Sequence, residues 1–310
     1  MSYNNLLTGL KVFRFELKLE ALTEISFPNF PGIALRGGFG HALRRIVCAV
    51  RAENIACRDC SLAGACPYSV MFESPNVNPA PRMRGATVRP HPFAIIPGLS
   101  GPAVLTAGSI FSVYVTLFEQ GIKFLPYVIH GFRNLGNSGL GRSRGKFRIL
   151  EILCVDSEKE VMNAESKVDM DAVVPYHPET DRIVSRLMLE FLTPCRIQYH
   201  RKPLRKPHFQ AIIRNIVRKL ENISYFYGPA PVQYSDTINY DGLELITMDD
   251  VSVIWESTSR YSRRQDMVMP MEGFTGYAMY EGPLSQYYPY LKYAEATGLG
   301  KNTSFGFGAV

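Results

Sequence analysis

The sequence predicts an α+β protein made of two ferredoxin-like (RRM-like) βαββαβ domains in tandem, with a glycine-rich loop at the C-terminal end. Two observations lead to this fold class. The order strand, helix, strand, strand, helix, strand, which defines a ferredoxin-like unit, occurs once in each half of the chain. In addition, Gly139-Leu140-Gly141-Arg142 recurs as Gly298-Leu299-Gly300-Lys301, each time after an amphipathic segment and before an apolar run. A loop repeated in a matched context suggests a duplicated module.

Hydrophobic periodicity predicts the elements of the first half. Residues 10–22 alternate between apolar and charged side chains, which is typical of a half-buried strand. Residues 33–50 carry apolar side chains at helical spacing, from Leu35 and Phe39 to Ile46 and Val50, which predicts a helix with one apolar stripe. The remaining elements are strands at 87–96 and 109–118, a helix over 122–135 and a strand at 147–155.

The second half repeats this order after a polar segment at 156–180, which holds eight acidic residues up to Asp181 and suits a linker. The sequence therefore predicts an N-terminal domain at 1–155, with a cysteine-rich insert at roughly 54–74, and a C-terminal domain at 181–310. The predicted elements of the second domain are a strand at 182–199, a helix at 209–223, strands at 251–261 and 267–280, a helix at 284–294 and a terminal strand at 305–310.

The distribution of charge favours a polyanionic partner. The net charge is only +6, but residues 121–150 hold six Lys/Arg and residues 191–220 hold eight, with no Asp or Glu in either tract. Long basic tracts without acids point first to nucleic acid, and solvated helix faces are the alternative. The chain shows no secretory signal peptide and no apolar run of about 18 residues that would suggest a membrane span. We therefore expect a cytoplasmic protein.

Four of the six cysteines form the set Cys48-x8-Cys57-x2-Cys60-x5-Cys66. A Cys-x2-Cys pair is a common half-site for structural zinc, which takes four tetrahedral ligands. The set therefore predicts a structural metal site, with zinc ahead of an iron–sulfur cluster. The alternative is a group of four reduced thiols, since the spacing to the outer cysteines is irregular.

The terminal loop has two interpretations. Its glycines can adopt positive φ and can let the backbone come close to a ligand, and exposed amides beside Lys301 would form a concavity for phosphate. It is not a nucleotide P-loop, because Asn302 follows Lys301 and no helix follows the loop. The alternative interpretation is a tight glycine turn into a terminal strand.

Several of these motifs together resemble a known family. Tandem ferredoxin-like folds that end in a Gly-Leu-Gly-Lys…Ser-Phe-Gly-Phe-Gly loop are similar to the RAMP superfamily of CRISPR proteins, and within it to the endoribonucleases that cut precursor CRISPR RNA inside its repeats. The stretch 35–45, followed by Cys57-x2-Cys60 and Cys66-Pro67-Tyr68, is similar to one branch of that family. The resemblance covers nearly the whole chain.

The resemblance implies a reaction that needs no metal, in which a ribose 2′-hydroxyl attacks its own phosphate. Many members carry a histidine on the first helix, and His41 has that placement and lies opposite the apolar stripe. We expect His41 to be catalytic, with a surface histidine as the alternative and His200 as the second candidate. The expected RNA-binding residues, each of which has a solvated side chain as its alternative, are Arg36, Arg44, Arg45, Arg142, Arg144, Lys146, His200, Arg201, Lys202, Arg205, Lys206, Gly298, Gly300, Lys301 and Ser304.

Three functions remain open from the sequence. The first is an endoribonuclease specific for a CRISPR repeat, with precursor CRISPR RNA as its partner and no cofactor for catalysis. The second is a non-catalytic RAMP subunit that binds RNA together with other subunits of a CRISPR effector complex. The third, a general RNA-binding protein, ranks last because the strands lack the aromatic signature of the RNA-recognition module.

Overall fold

The computed structural model of the protein describes residues 9–27, 29–50, 55–76, 83, 88–98, 103–162, 167–262 and 266–310. Its contacts divide the chain into two compact units. The N-terminal unit comprises Lys11–Pro175 and Asn222–Pro231, and the C-terminal unit consists mainly of Tyr176–Glu221 and Val232–Val310. The domain boundaries predicted from the sequence remain predictions. No helix within the described ranges is long and apolar enough to cross a membrane.

The N-terminal unit has a five-stranded antiparallel sheet with two helices. The strand order is β3-β5-β1-β6-β7, and a short separate sheet pairs β2 with β4. Without the edge strand β7, this is the order second, third, first, fourth of a ferredoxin-like unit, as predicted. The elements are β1 Val12–Ala21, β2 Ile25–Phe27, α1 Pro31–Val47, β3 Phe93–Pro97, β4 Ala103–Leu105, β5 Ile110–Phe118, α2 Leu125–Ser138, β6 Phe147–Cys154 and β7 Lys159–Glu160.

Strand β1 shows why the alternating pattern was informative. Phe15 and Leu17 are each only 1% exposed and belong to the core. The residues on either side of them form ion pairs on the other face, where Arg14 contacts Asp156 at 2.6 Å and Lys18 contacts Glu151 at 2.8 Å. A strand with one buried face reads as a strict alternation in sequence.

Helix α1 packs closely because two of its glycines lack side chains. A Cβ atom on Gly38 would lie 2.6 Å from Leu135, and one on Gly40 would lie 2.8 Å from Phe72. The sequence predicted that this helix ends at residue 50, but it ends at Val47. Ile46 is 43% exposed, since the chain turns away at residue 48 before the last positions of the stripe reach the core.

The C-terminal unit has a three-stranded sheet of order β11-β12-β8, which matches the second, third and first strands of the same fold. The apolar residues of the predicted helix at 209–223 are buried, as expected. The elements are β8 Arg186–Cys195, β9 Gln198–Tyr199, β10 Lys202–Pro203, α3 Phe209–Tyr227, β11 Thr247–Ser262, β12 Met267–Glu281 and α4 Tyr288–Thr297.

The terminal strand predicted at 305–310 is wrong. A 3₁₀ turn at Thr303–Phe305 replaces it, and Gly306 and Gly308 have φ angles of +84° and +75°, which interrupt an extended backbone. The segment nevertheless lies beside β8, because the Leu192 amide donates to the carbonyl oxygen of Ala309 at 2.9 Å.

Candidate functional site

The glycines of the terminal loop are required by packing. Gly298 and Gly300 have φ angles of +76° and +82°, as the sequence predicted. A Cβ atom on Gly300 would lie 2.5 Å from the carbonyl oxygen of Arg196, a distance that no side chain tolerates against backbone. The loop therefore needs glycine at this position for two local reasons, a left-handed backbone and a close approach to the chain after β8.

The first copy of the loop is built in the same way. Gly139 and Gly141 have φ angles of +92° and +74°, and a Cβ atom on Gly141 would lie 2.5 Å from the carbonyl oxygen of Ser26. The amide of Arg142 donates to that same oxygen at 2.9 Å, just as the amide of Lys301 donates to the Arg196 oxygen at 2.8 Å. The repeated tetrapeptide thus marks one structural device used in both units.

The amides at the start of the terminal loop donate to groups within the protein. The prediction that these amides are exposed and could bind phosphate is therefore wrong at these positions. The donors and acceptors are Gly298 N to Ala294 O (2.7 Å), Leu299 N to Gly308 O (2.7 Å), Gly300 N to Asn215 Oδ1 (3.1 Å) and Lys301 N to Arg196 O (2.8 Å). Ser304 is also removed from the predicted surface, because it is only 4% exposed. Phosphate binding at this loop therefore has to come mainly from side chains.

Lys219 on α3 is hydrogen-bonded to the terminal loop. Its Nζ donates to the carbonyl oxygens of Thr297 and Gly298, the latter at 2.8 Å, and to Oγ1 of Thr303 at 3.2 Å. Burial lowers the pKa of Lys219 to about 7, while the three oxygen acceptors favour its protonated form. Asn215, which binds Gly300, precedes Lys219 by one helical turn. Two polar residues at i and i+4 beside an apolar stripe were a usable signal that the sequence analysis missed.

Three cations lie close together at the surface of the terminal loop. Lys301 is exposed, and its Nζ donates to Oε1 of Gln198 at 2.6 Å. Burial of the ammonium, followed by the positive charges of Arg196 and Arg218, lowers the pKa of Lys301. A bound anion would relieve this repulsion between like charges. Arg196 and Arg218 were not predicted, because one belongs to a strand region and the other to a helix.

The basic tract at 200–206 forms a small hairpin. His200 and Arg201 have φ angles of +48° and +64° and make the turn between β9 and β10. The guanidinium of Arg205 lies 4.1 Å from the centre of the Trp255 ring, a cation–π contact that fixes its direction. The predicted residues of this tract are exposed, namely His200, Arg201, Lys202, Arg205 and Lys206.

In the N-terminal unit, α1 presents His41 to the surface. His41 and Arg45, one turn later, are both exposed. Gly37 lies one turn before His41 on the same face, and within the described part of the chain no atom would lie within 4 Å of a Cβ atom there. Unlike Gly38 and Gly40, Gly37 has no packing reason to be glycine, although glycine costs a helix about 1 kcal/mol relative to alanine. The face beside His41 is thus open to a ligand.

The other two arginines of α1 have partners within the protein. Nη2 of Arg36 lies 3.1 Å from Nε2 of His91, and its guanidinium lies 5.1 Å from the centre of the Phe72 ring. Burial and the nearby charge of Arg36 lower the pKa of His91 to about 3, so this histidine is neutral and accepts a hydrogen bond from Arg36. The guanidinium of Arg44 lies 5.7 Å from the centre of the Tyr68 ring.

The first glycine loop carries exposed basic side chains, as predicted. Arg142, Arg144 and Lys146 are all exposed, and Arg144 has a φ of +52°. The loop is tied to the end of β1, since the Lys146 amide donates to Oγ1 of Thr23 at 2.8 Å. These side chains are therefore available for contact with a polyanion.

The four clustered cysteines meet at one cavity. Cys48, Cys57, Cys60 and Cys66 all line a space of about 160 Å³ near the end of α1. Burial, and then the charge of Glu73, raise the pKa of the Cys57 thiol. Among the described residues, no three Cys, His, Asp or Glu side chains are already close enough together to share one metal ion. Cys154 and Cys195 are fully buried in the two units, as expected for core residues.

Two family models match consecutive parts of the chain. The AF_1859_N family, described as an N-terminal domain, matches residues 10–173, and the family described as CRISPR-associated endoribonuclease Cas6 matches residues 189–310. An uncharacterized protein of Archaeoglobus fulgidus is 25% identical over 320 residues, which cover 99% of this chain and 98% of the relative.

Solved structures agree with the fold. Cas6 of Thermus thermophilus is 13% identical and aligns with a TM-score of 0.55 over 96% of this chain and 97% of that chain. A structure described as a Cas6 product complex is 14% identical and aligns with the same TM-score of 0.55, also over 96% of this chain and 97% of that one. This similarity confirms the predicted tandem ferredoxin-like fold.

Proposed function

We propose that this chain, which belongs to the AF_1859_N family by its residues 10–173 and matches the Cas6 endoribonuclease family over residues 189–310, cuts precursor CRISPR RNA within its repeats. The observation that carries the proposal is the exposed His41 on α1, beside the open face left by Gly37. This places a proton-transferring group on a surface that a strand of RNA can approach. The alternative, an RNA-binding subunit without catalysis, needs no such group.

The proposed reaction is an internal transesterification. The 2′-oxygen forms a bond to the adjacent phosphorus while the bond from phosphorus to the 5′-oxygen of the next nucleotide breaks. A base takes the proton of the 2′-hydroxyl and an acid gives a proton to the departing 5′-oxygen, so the products are a 2′,3′-cyclic phosphate and a 5′-hydroxyl. We assign one of these two transfers to His41, and such groups contribute about 10²–10⁴-fold. Water and metal ions are not required by this balance.

Basic side chains on each unit would hold the phosphates. In the C-terminal unit these are Arg196, Arg218 and Lys301 beside the terminal loop, together with the exposed hairpin at 200–206. In the N-terminal unit they are Arg45 on α1 and the exposed side chains of the first glycine loop. Contacts of this kind position RNA without reading its sequence. We further propose that the protein acts in the cytoplasm and passes its product to CRISPR effector subunits.

The test uses the purified protein and the repeat RNA encoded beside its gene, in buffer that contains EDTA. We expect cleavage at one position and a cyclic phosphate on the 5′ fragment. His41→Ala should abolish cleavage and leave RNA affinity within a few-fold, and Lys159→Ala, a change of an exposed strand residue, is the control. Full activity of His41→Ala would move the proton transfer to another residue, with His200 the first candidate. Tight binding without cleavage by the wild type would favour the non-catalytic subunit.

A substrate with sulfur in place of the leaving 5′-oxygen separates the two roles of His41. Sulfur departs without a proton, so this substrate restores the rate of His41→Ala if His41 is the acid. An unrestored rate assigns His41 to the 2′-hydroxyl instead.

A further inference from the structure

The segment at residues 55–66 has no buried residue. Its half-buried positions recur every third residue, at Cys57, Cys60, Ala63 and Cys66, and all the others are exposed. Its larger apolar side chains, Ile55 and Leu62, are 44% and 45% exposed. A segment of this length cannot offset its loss of conformational entropy without apolar burial or another linkage. Three of its four inward-facing residues are cysteines.

These three cysteines face a fourth. Cys48 directly follows α1 and is a lining residue of the same cavity of about 160 Å³ as the other three. Tight turns present the thiols of the segment inward, since the amide of Ala63 donates to Cys60 O at 2.9 Å and that of Cys66 to Leu62 O at 2.8 Å. The cysteines are free thiols and not disulfides. Four cysteines that line one cavity offer the type of donor set that zinc prefers.

We propose that Cys48, Cys57, Cys60 and Cys66 bind one structural zinc ion that fastens the segment 55–66 to the end of α1. In the structure, no three of the described cysteines are yet close enough together to coordinate the same ion. Binding therefore draws the four sulfur atoms together across the cavity, to about 2.3 Å from the metal, and releases the thiol protons. The residues from Cys57 to Cys66 allow this contraction, because none of them is buried in a core.

Arg44 supplies the charge that such a site needs. Four thiolates and one Zn²⁺ carry a net charge of −2, and the Arg44 side chain hydrogen-bonds Cys48 and lies near Cys57. Donors of this kind around the ligands stabilise a metal–thiolate site. This gives Arg44 a role other than the predicted contact with RNA. The site is independent of the proposed function, although it would anchor the helix that carries His41.

The test measures metal content in full-length protein purified without chelators. We expect one zinc per chain and a tetrahedral thiolate spectrum after replacement by Co²⁺. All six thiols should resist a thiol reagent in the folded zinc-bound protein, because Cys154 and Cys195 are buried, and removal of zinc should expose only the other four. Cys60→Ser should lose most of the zinc, and Cys154→Ala, a change of a core cysteine in β6, should keep it. Removal of zinc from the wild type should lower the melting temperature, and added zinc should restore it.

Three results would overturn the proposal. The first is a wild-type protein that folds without metal and whose melting temperature zinc does not change. The second is bound iron with strong visible absorption, which would indicate a cluster and not zinc. The third is a pair of disulfides found under reducing purification. Because the wild-type measurements stand alone, a Cys60→Ser protein that fails to fold does not affect the decision.

Discussion

Nζ of Lys219 donates a hydrogen bond to the carbonyl oxygen of Gly298 at 2.8 Å, and this contact ties α3 to the first glycine of the terminal loop. The same ammonium donates hydrogen bonds to Thr297 O and Thr303 Oγ1, so it connects the start of the loop to the 3₁₀ turn that follows it. Because Gly298 directly follows α4, the lysine also donates to carbonyl oxygens at the C-terminal end of that helix, which lack partners within the helix. The loop that resembles a ligand cradle in sequence is thus supported from inside by a lysine.

Lys219→Met is expected to destabilise the protein by about 1–3 kcal/mol, because it removes the hydrogen bonds that Nζ donates to the carbonyl oxygens of Thr297 and Gly298 and to Oγ1 of Thr303. Burial lowers the pKa of Lys219 from 10.5 to about 7. Between these two pH values the unfolded chain therefore binds more protons than the folded protein does. The contribution of Lys219 to the free energy of unfolding of the wild type should therefore rise from pH 7 to pH 9. Denaturant unfolding at several pH values measures both effects. The control is Lys292→Met, which removes only a surface pair with Glu295. A parallel pH dependence in wild type and Lys219→Met would contradict the assignment.

Lys301→Ala is expected to weaken binding of repeat RNA and to reduce the slope of log affinity against log salt by about 0.7, the value for one phosphate contact on a single strand. The physical reason is the cluster that Lys301 forms with Arg196 and Arg218, where a phosphate would relieve the repulsion between cations. Affinities at several salt concentrations measure the slope. Arg218→Ala should give a similar decrease and Lys159→Ala none, and an unchanged slope in Lys301→Ala would remove this cluster from the RNA-binding surface.

Gly300→Ala and Gly141→Ala are expected to lower the melting temperature to a similar extent, at a cost of about 1–3 kcal/mol each for a strained left-handed residue. Both positions have positive φ, and at both a Cβ atom would lie 2.5 Å from a backbone oxygen. Gly300→Val should be more damaging, because a β-branched residue is less tolerated at positive φ. Thermal unfolding decides the question. A loss of RNA affinity in Gly300→Ala without any loss of stability would instead support direct contact between this glycine and RNA.

Gly37→Ala is expected to separate stability from activity. Alanine should stabilise α1 by up to about 1 kcal/mol, because none of the residues that the structure describes lies within 4 Å of a Cβ atom at this position. The same methyl group would stand one turn from His41, where we propose that RNA approaches, and should slow cleavage. Melting temperature and single-turnover cleavage rates are the two measurements. A more stable variant with an unchanged rate would show that the open face beside His41 is not used.

The helices, the main strands and the conformation of the glycines could be predicted because each depends on residues close together in sequence. The stripe of α3, the alternation of β1 and the positive φ of Gly141 and Gly300 are of this kind. The duplicated tetrapeptide likewise predicted the same loop in both units, and in both the second glycine has positive φ and lies close to a backbone oxygen. The metal site that the cysteine spacing predicts stays a prediction, and the four cysteines line one cavity.

Only the tertiary structure decided which groups surround the terminal loop. Lys219 and Asn215 reach the loop from α3, and Arg196 joins Lys301 from the end of β8, although these residues are far apart in the chain. The sequence by itself determined where the backbone turns, because φ preferences are local. It could not determine where each amide finds its acceptor, because hydrogen bonds between distant segments depend on how the strands and helices pack. For that reason the loop does not offer its first amides to a phosphate, because they already donate hydrogen bonds within the protein. Its Lys301 side chain is exposed to solvent.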